Sequence, residues 1–163
     1  MARTVNGSIS PKLIEYIGMG CWRLRWNIKE VTDEEGKVSY EYVEEEFKYE
    51  PTIDQIKDTI LGWFNSEIDY KILSGFVWKD NLVWLSTENQ FNYKADYDLA
   101  IQENGANLPT TFKFGTVENP VYYVFSTLED LKDFYSKSVA YVKQTLQEGW
   151  IAKDSFDFNP YMV

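Results

Sequence analysis

From Cys21 the chain alternates apolar and polar positions with a period of two. Trp22, Leu24, Trp26 and Ile28 fall on one face, and Arg23, Arg25 and Asn27 on the other, which predicts a half-buried strand. Asp33-Glu34-Glu35-Gly36 is turn chemistry, and a second β-rich run follows from Val38 to Tyr49, so the two runs predict a hairpin. A four-residue loop would place Trp22 opposite Phe47, Trp26 opposite Val43, Arg25 opposite Glu44 and Arg23 opposite Glu46. Each cross-strand pair of this kind contributes roughly 0.2 to 1 kcal/mol, and a slip of one residue would undo both faces.

Helical spacing takes over after Pro51. Thr52 and Gln55 form a capping-box pattern, in which each side chain can satisfy the other residue's free backbone donor at a helix start. Ile53, Ile56, Ile60, Phe64 and Ile68 then share one face, and Gly75 offers a stop. A second hairpin is predicted from Phe76–Trp78 and Leu82–Leu85 around Lys79-Asp80-Asn81, since Asp and Asn tolerate the positive φ of tight turns. Ser86 and Thr87 open another helix, with Phe91, Ala95, Leu99 and Ala100 at helical spacing, ending near Gly105. A third hairpin is predicted from Thr110–Gly115 and Val121–Phe125. The capping box Ser126-Thr127-Leu128-Glu129 leads from it into a long helix, with Leu128, Leu131, Tyr135, Val139, Val142 and Leu146 on one face and a stop at Gly149.

A hairpin followed by a helix, three times over, predicts the α+β class, with antiparallel strands in a small sheet backed by helices. Residues 1–18 show no sustained period and read as an N-terminal arm, either a frayed terminus or a segment that docks onto a neighbouring subunit. Residues 19–163 then form a single domain, the alternative being a lobe boundary near 69–74.

Composition narrows the chemistry. An aromatic content of 17% must leave water, so the chain folds, but a net charge of -10 without a basic stripe argues against nucleic-acid binding. The chain has no histidine, which removes the usual bases and zinc ligands, and its single cysteine, Cys21, cannot form an internal disulfide and reads as packed beside Trp22. No stretch approaches the length of a membrane span. Glu44-Glu45-Glu46 cannot converge on a cation from one strand, because neighbours point to opposite faces, and Asp33-Glu34-Glu35 reads as a solvated turn. No metal, cofactor or catalytic residue is assigned, and the expectation is a protein that is not an enzyme.

The remaining chemistry is aromatic. Trp78, Trp84, Tyr122 and Tyr123 are candidate interface residues, since Trp and Tyr anchor protein contacts or stack on sugars. Strand alternation prevents Tyr122 and Tyr123 from entering the same core, and likewise Trp84 and Leu85.

The stretch Gly75-Phe76-Val77-Trp78-Lys79-Asp80-Asn81-Leu82-Val83-Trp84-Leu85-Ser86-Thr87-Glu88-Asn89-Gln90, with Asn92-Tyr93-Lys94-Ala95 after it, resembles a domain family of unknown function found in phage and prophage genes. Phe125-Ser126-Thr127-Leu128-Glu129-Asp130-Leu131, leading to Glu148-Gly149-Trp150, resembles that family's closing helix. The resemblance covers about residues 70–157. It implies a bacteriophage structural or assembly protein of the tail or tail-fibre region, found in the virion and, during assembly, in the host cytoplasm. Its expected partners are other phage structural proteins and further copies of itself, without nucleic acid or membrane. The alternatives are a carbohydrate-binding module for host surface polysaccharide, a tail-fibre assembly chaperone outside the virion and, behind these, a carboxylate-based glycosidase.

Overall fold

The computed structural model describes residues 2–162. In chain order the strands and helices are β1 (Arg3–Gly7), β2 (Ile14–Gly18), β3 (Cys21–Thr32), β4 (Val38–Phe47), α1 (Ile53–Ser74), β5 (Phe76–Trp78), β6 (Asn81–Val83), α2 (Thr87–Gln102), β7 (Thr110–Gly115), β8 (Pro120–Phe125) and α3 (Leu128–Asp154). The chain is α+β, with antiparallel sheets and three α-helices among the described residues. In place of one domain it divides into two compact units, Met1–Phe64 with Ser155–Val163, and Asn65–Asp154. The divisions fall within α1 and at the end of α3 rather than near 69–74, so no linker composition marks them.

The first unit holds a four-stranded sheet in the order β1-β4-β3-β2. Residues expected as an arm supply both outer strands, because β1 pairs with β4 and β2 with β3. The four anticipated cross-strand pairs form: Trp22 with Phe47, Arg23 with Glu46, Arg25 with Glu44 and Trp26 with Val43. They form by a different route, however. Thr32 pairs with Val38, which leaves a five-residue loop, 33–37, and an irregularity between Trp26 and Lys29 restores the register. Asn27 sits there at φ 52°, a left-handed conformation that asparagine adopts at low cost, and it absorbs the extra residue as a β-bulge. Asp33 builds the loop by accepting hydrogen bonds from the amides of Glu35 (3.0 Å) and Lys37 (2.8 Å).

One face of this sheet carries the core. Leu24, Trp26 and Val43 pack with Ile56 and Ile60 of α1, and the segment after α3 adds Phe156, Phe158 and Tyr161. Full burial of an aliphatic side chain such as Leu24, Val43, Ile56 or Ile60 contributes roughly 1.5 to 3 kcal/mol. The capping box forms as expected, with the Thr52 amide donating to Gln55 Oε1 (2.9 Å) and the Gln55 amide to Thr52 Oγ1 (3.3 Å).

The other face is ionic. Arg25 and Glu44 are 5% and 3% exposed, and Glu44 accepts from Arg25 (3.2 Å) and from Arg3 (2.8 Å). Glu15 pairs with Arg25 (2.8 Å) and Glu46 with Arg23 (2.8 Å). Since β1 and β2 are the outer strands, residues 8–13 must cross the sheet between them. They do so on this ionic face, where Arg25 Nη1 donates to the Lys12 carbonyl (3.1 Å). Burial pushes the Glu44 carboxyl up, but hydrogen bonds from Arg3 and Arg25 and the nearby Arg23 together hold it below its ordinary value. The hydrogen bond from Arg25 likewise lowers Glu15.

The second unit is built around aromatic rings. Phe134 of α3 contacts Phe76, Trp78, Tyr93, Phe112, Phe114 and Phe125, all at centroid distances of 5.1 to 6.3 Å. Two two-stranded sheets, β5-β6 and β7-β8, supply five of these six rings in place of the single sheet that was expected. Two helix faces differ from the expected stripes. On α2 the buried residues are Tyr93 and Ala100, while Phe91 and Leu99 are exposed. On α3 the expected Leu131 is buried and Leu128, Tyr135 and Val142 pack against the core, but the buried set also takes in Phe134, Ser138 and Thr145, which the expected stripe omits. Gly149 does not end α3, which runs on to Asp154. Its missing Cβ instead admits the Ile68 side chain of α1.

Two outcomes follow from this packing. Both Glu44 and Glu15 have folded values below the ordinary carboxylate value of 4.5, so their contribution is complete above about pH 4.5 and fades as pH falls through the lower folded values. Glu44→Gln should therefore flatten this acid limb in urea titrations across pH, and at neutral pH it should cost about 3 to 5 kcal/mol by leaving Arg25 short of its buried partner. Gly149→Ala forces a methyl against Ile68 and should cost about 1 to 3 kcal/mol in the same assay.

Candidate functional site

The outward faces of the two hairpins in the second unit follow from which side chains fill its core. Phe76, Trp78, Val83 and Leu85 point inward, which leaves Val77 and Trp84 outward. On the other hairpin Phe112 and Tyr123 are paired on the inner face, and Lys113 opposite Tyr122 and Thr111 opposite Val124 lie on the outer one. Alternation thus decides the fate of each candidate residue.

Trp78 is 3% exposed and belongs to the core, so it cannot present a contact surface as expected. Its ring stacks on Phe125 at 5.4 Å, and its indole N–H donates to Asp133 Oδ2 (3.0 Å). Tyr123 is half-buried against Trp78 (4.9 Å) and Phe125 (4.7 Å). Tyr122 is 66% exposed and Trp84 39%, and these two remain as surface aromatics. Trp84 is fixed by its indole N–H, which donates to the Gly115 carbonyl (3.1 Å). Gly115 adopts φ 81°, and a Cβ there would collide with the Asn119 carbonyl, so the turn that receives Trp84 requires glycine.

The anchored end of the face is polar. Lys79 and Asp80 form the two-residue turn of the first hairpin with φ 47° and 61°. Lys79 Nζ donates to Tyr123 Oη (2.8 Å) and Asp130 Oδ1 (2.6 Å), while the Tyr123 hydroxyl donates to Asp130 Oδ2 (2.7 Å). The ammonium also lies 4.5 Å from the Trp78 ring centroid, a cation–π distance. The Asp130 hydrogen bond, then that from Tyr123, pushes Lys79 up to about 12. Asp133 is held below its ordinary value, first by Lys137 and then by Trp78. Lys79 and Asp133 therefore keep their charges through neutral pH and bind the hairpin to α3.

Sequence reasoning overlooked the aliphatic members of the surface. Val77 and Val124 are both exposed on these strands, and alternation against Trp78 and Tyr123 was the signal that could have found them. Elsewhere, Glu44 and Glu46 share one sheet face but are occupied by arginines, and Cys21 is half-buried with its thiol 3.8 Å from the Met19 carbonyl. Among the described residues, no group of three or more His, Cys, Asp or Glu is placed to hold a metal, and no helix is long and apolar enough to cross a membrane. Comparison with protein-family models, with curated proteins and with solved structures gives no match.

The division between core and surface aromatics has a direct check. In urea unfolding, Trp78→Ala should cost about 3 to 5 kcal/mol as a core truncation. Tyr122→Ala should stay within about 0.5 kcal/mol, as expected for a surface change.

Proposed function

We propose that the chain is a structural or assembly protein of the bacteriophage tail or tail-fibre region, and that it acts through protein–protein contacts made by the outer face of the second unit. The observation that carries this reading is the exposure of Trp84, Tyr122, Val77 and Val124 on the outward sides of the two hairpins. They are an aromatic and aliphatic set left outward by strand alternation, with Trp84 held in place by Gly115. Interfaces draw their affinity from such rigid aromatic anchors. The resemblance to phage and prophage tail-associated domains supports the reading further, because its span of about 70–157 nearly coincides with the compact unit Asn65–Asp154. The motif residues Gly75 to Ala95 build β5, β6 and the start of α2, and include half of this set.

In this reading the protein resides in the virion and contacts other tail proteins and further copies of itself. An assembly chaperone would use the same face and then leave. A polysaccharide-binding module is favoured by one observation, the half-exposed Trp84 indole held by its N–H, which leaves ring surface for stacking on a sugar.

Quantitative mass spectrometry of purified particles against the infected-cell lysate distinguishes these roles. A fixed copy number per particle is the expected result, and the double substitution Trp84→Ala with Tyr122→Ala should abolish incorporation while the isolated protein keeps its fold by circular dichroism. Abundance in the lysate with absence from particles would assign the chaperone role. Saturable quenching of tryptophan fluorescence by host polysaccharide, lost in the double variant, would assign the sugar-binding one.

A further inference from the structure

The two margins of the four-stranded sheet are finished differently. On the β2 side, the strand is bulged between Tyr16 and Gly18, and beyond its start the Tyr161 hydroxyl donates to the Arg25 carbonyl (2.9 Å). Bulges and covering groups of this kind discourage pairing with another chain. The β1 side has neither device. Arg3–Gly7 pairs with Tyr40–Glu44 in unbroken register and contains no proline and no acidic residue. Among the described residues, no backbone hydrogen bond runs to β1 beyond its pairing with β4, and Arg3, Thr4 and Asn6 are exposed. A flat edge with unpaired N–H and C=O groups is a template for a further strand.

We propose that β1 pairs antiparallel with β1 of a second copy about a two-fold axis through Val5, which joins the two four-stranded sheets into one continuous sheet. The sequence of β1 is self-complementary in this register. Arg3 falls opposite Gly7, Thr4 opposite Asn6, and Val5 opposite its own copy. No like charges face each other, two hydrogen-bonding side chains meet, and the central pair is apolar. The register also pairs odd positions with odd and even with even, so the ionic and core-side faces continue across the junction. Charge favours this edge over others. A chain of net charge -10 opposes its own association wherever acids are exposed, whereas β1 presents Arg3, which already engages Glu44 (2.8 Å) and Glu46 (3.6 Å). A closed two-fold contact is also the commonest form of self-association. The inference concerns the first unit and stands independently of the tail reading.

Sedimentation velocity of the full chain across a dilution series tests it. The wild type should sediment as a concentration-dependent dimer. Val5→Lys, which sets like charges opposite each other at the axis, should raise the dissociation constant by about fivefold or more, with far-UV circular dichroism and thermal midpoint serving as controls for the fold. In a Cys21→Ser background, Val5→Cys should form a disulfide-linked dimer on air oxidation, whereas Asn6→Cys, which faces Thr4 of the partner rather than itself, should not. A wild type that stays monomeric throughout would overturn the proposal. So would a dimer whose dissociation is unchanged by Val5→Lys and in which Asn6→Cys crosslinks as readily as Val5→Cys.

Discussion

Phe134 is the constraint on which the second unit depends. One ring on α3 touches aromatic partners from β5, α2, β7 and β8, so the inward side of each of these elements is decided by its distance from that ring. Such ring pairs contribute about 0.5 to 1.5 kcal/mol beyond area burial, and a hub collects several at once. The surface is the complement of this packing. Trp84 and Tyr122 lie outward because Leu85 and Tyr123, their neighbours in sequence, are taken by the core.

The first unit depends on an ionic constraint instead. Burying Arg25 and Glu44 would be costly for either alone, and the pair is tolerable because Glu15, Arg3 and the Lys12 carbonyl satisfy its remaining hydrogen bonds. Three of these partners come from the first fifteen residues. The segment without period in the sequence is therefore the one that closes the buried face. A slipped β1 or β2 would leave a buried charge without its partner, which is strongly destabilising.

Much of the fold was legible where a single pattern governed a segment. The β3-β4 register could be read because both faces of the hairpin had strong preferences, and these were strong enough to survive a loop one residue longer than expected through the bulge at Asn27. Capping chemistry located the starts of α1 and α2, and that of α3 to within one residue, since Thr127 rather than Ser126 accepts the capping hydrogen bond, from the Asp130 amide. β1 and β2 were not legible, since five residues whose pairing partners lie more than thirty positions away in the case of β1 leave no local period. The α2 face was misread because tyrosine is amphipathic. Tyr93 enters the core, where burial pushes its phenol up to about 12, while the more hydrophobic Phe91 remains in water. For the candidate site, alternation correctly opposed Tyr122 to Tyr123 and Trp84 to Leu85, but it could not say that Trp78 lies inside, which depends on α3.

The order in which the two units appear along the chain bears on synthesis. Residues 65–154 are contiguous, so the second unit has every residue it needs before residues 155–163, which belong to the first unit, are made. The first unit still lacks Phe156, Phe158 and Tyr161 at that point, and with Tyr161 the hydroxyl that covers the Arg25 carbonyl. A ribosome adding residues in sequence thus completes the second unit's set of residues before the first unit's, although the first unit's strands are encoded earlier.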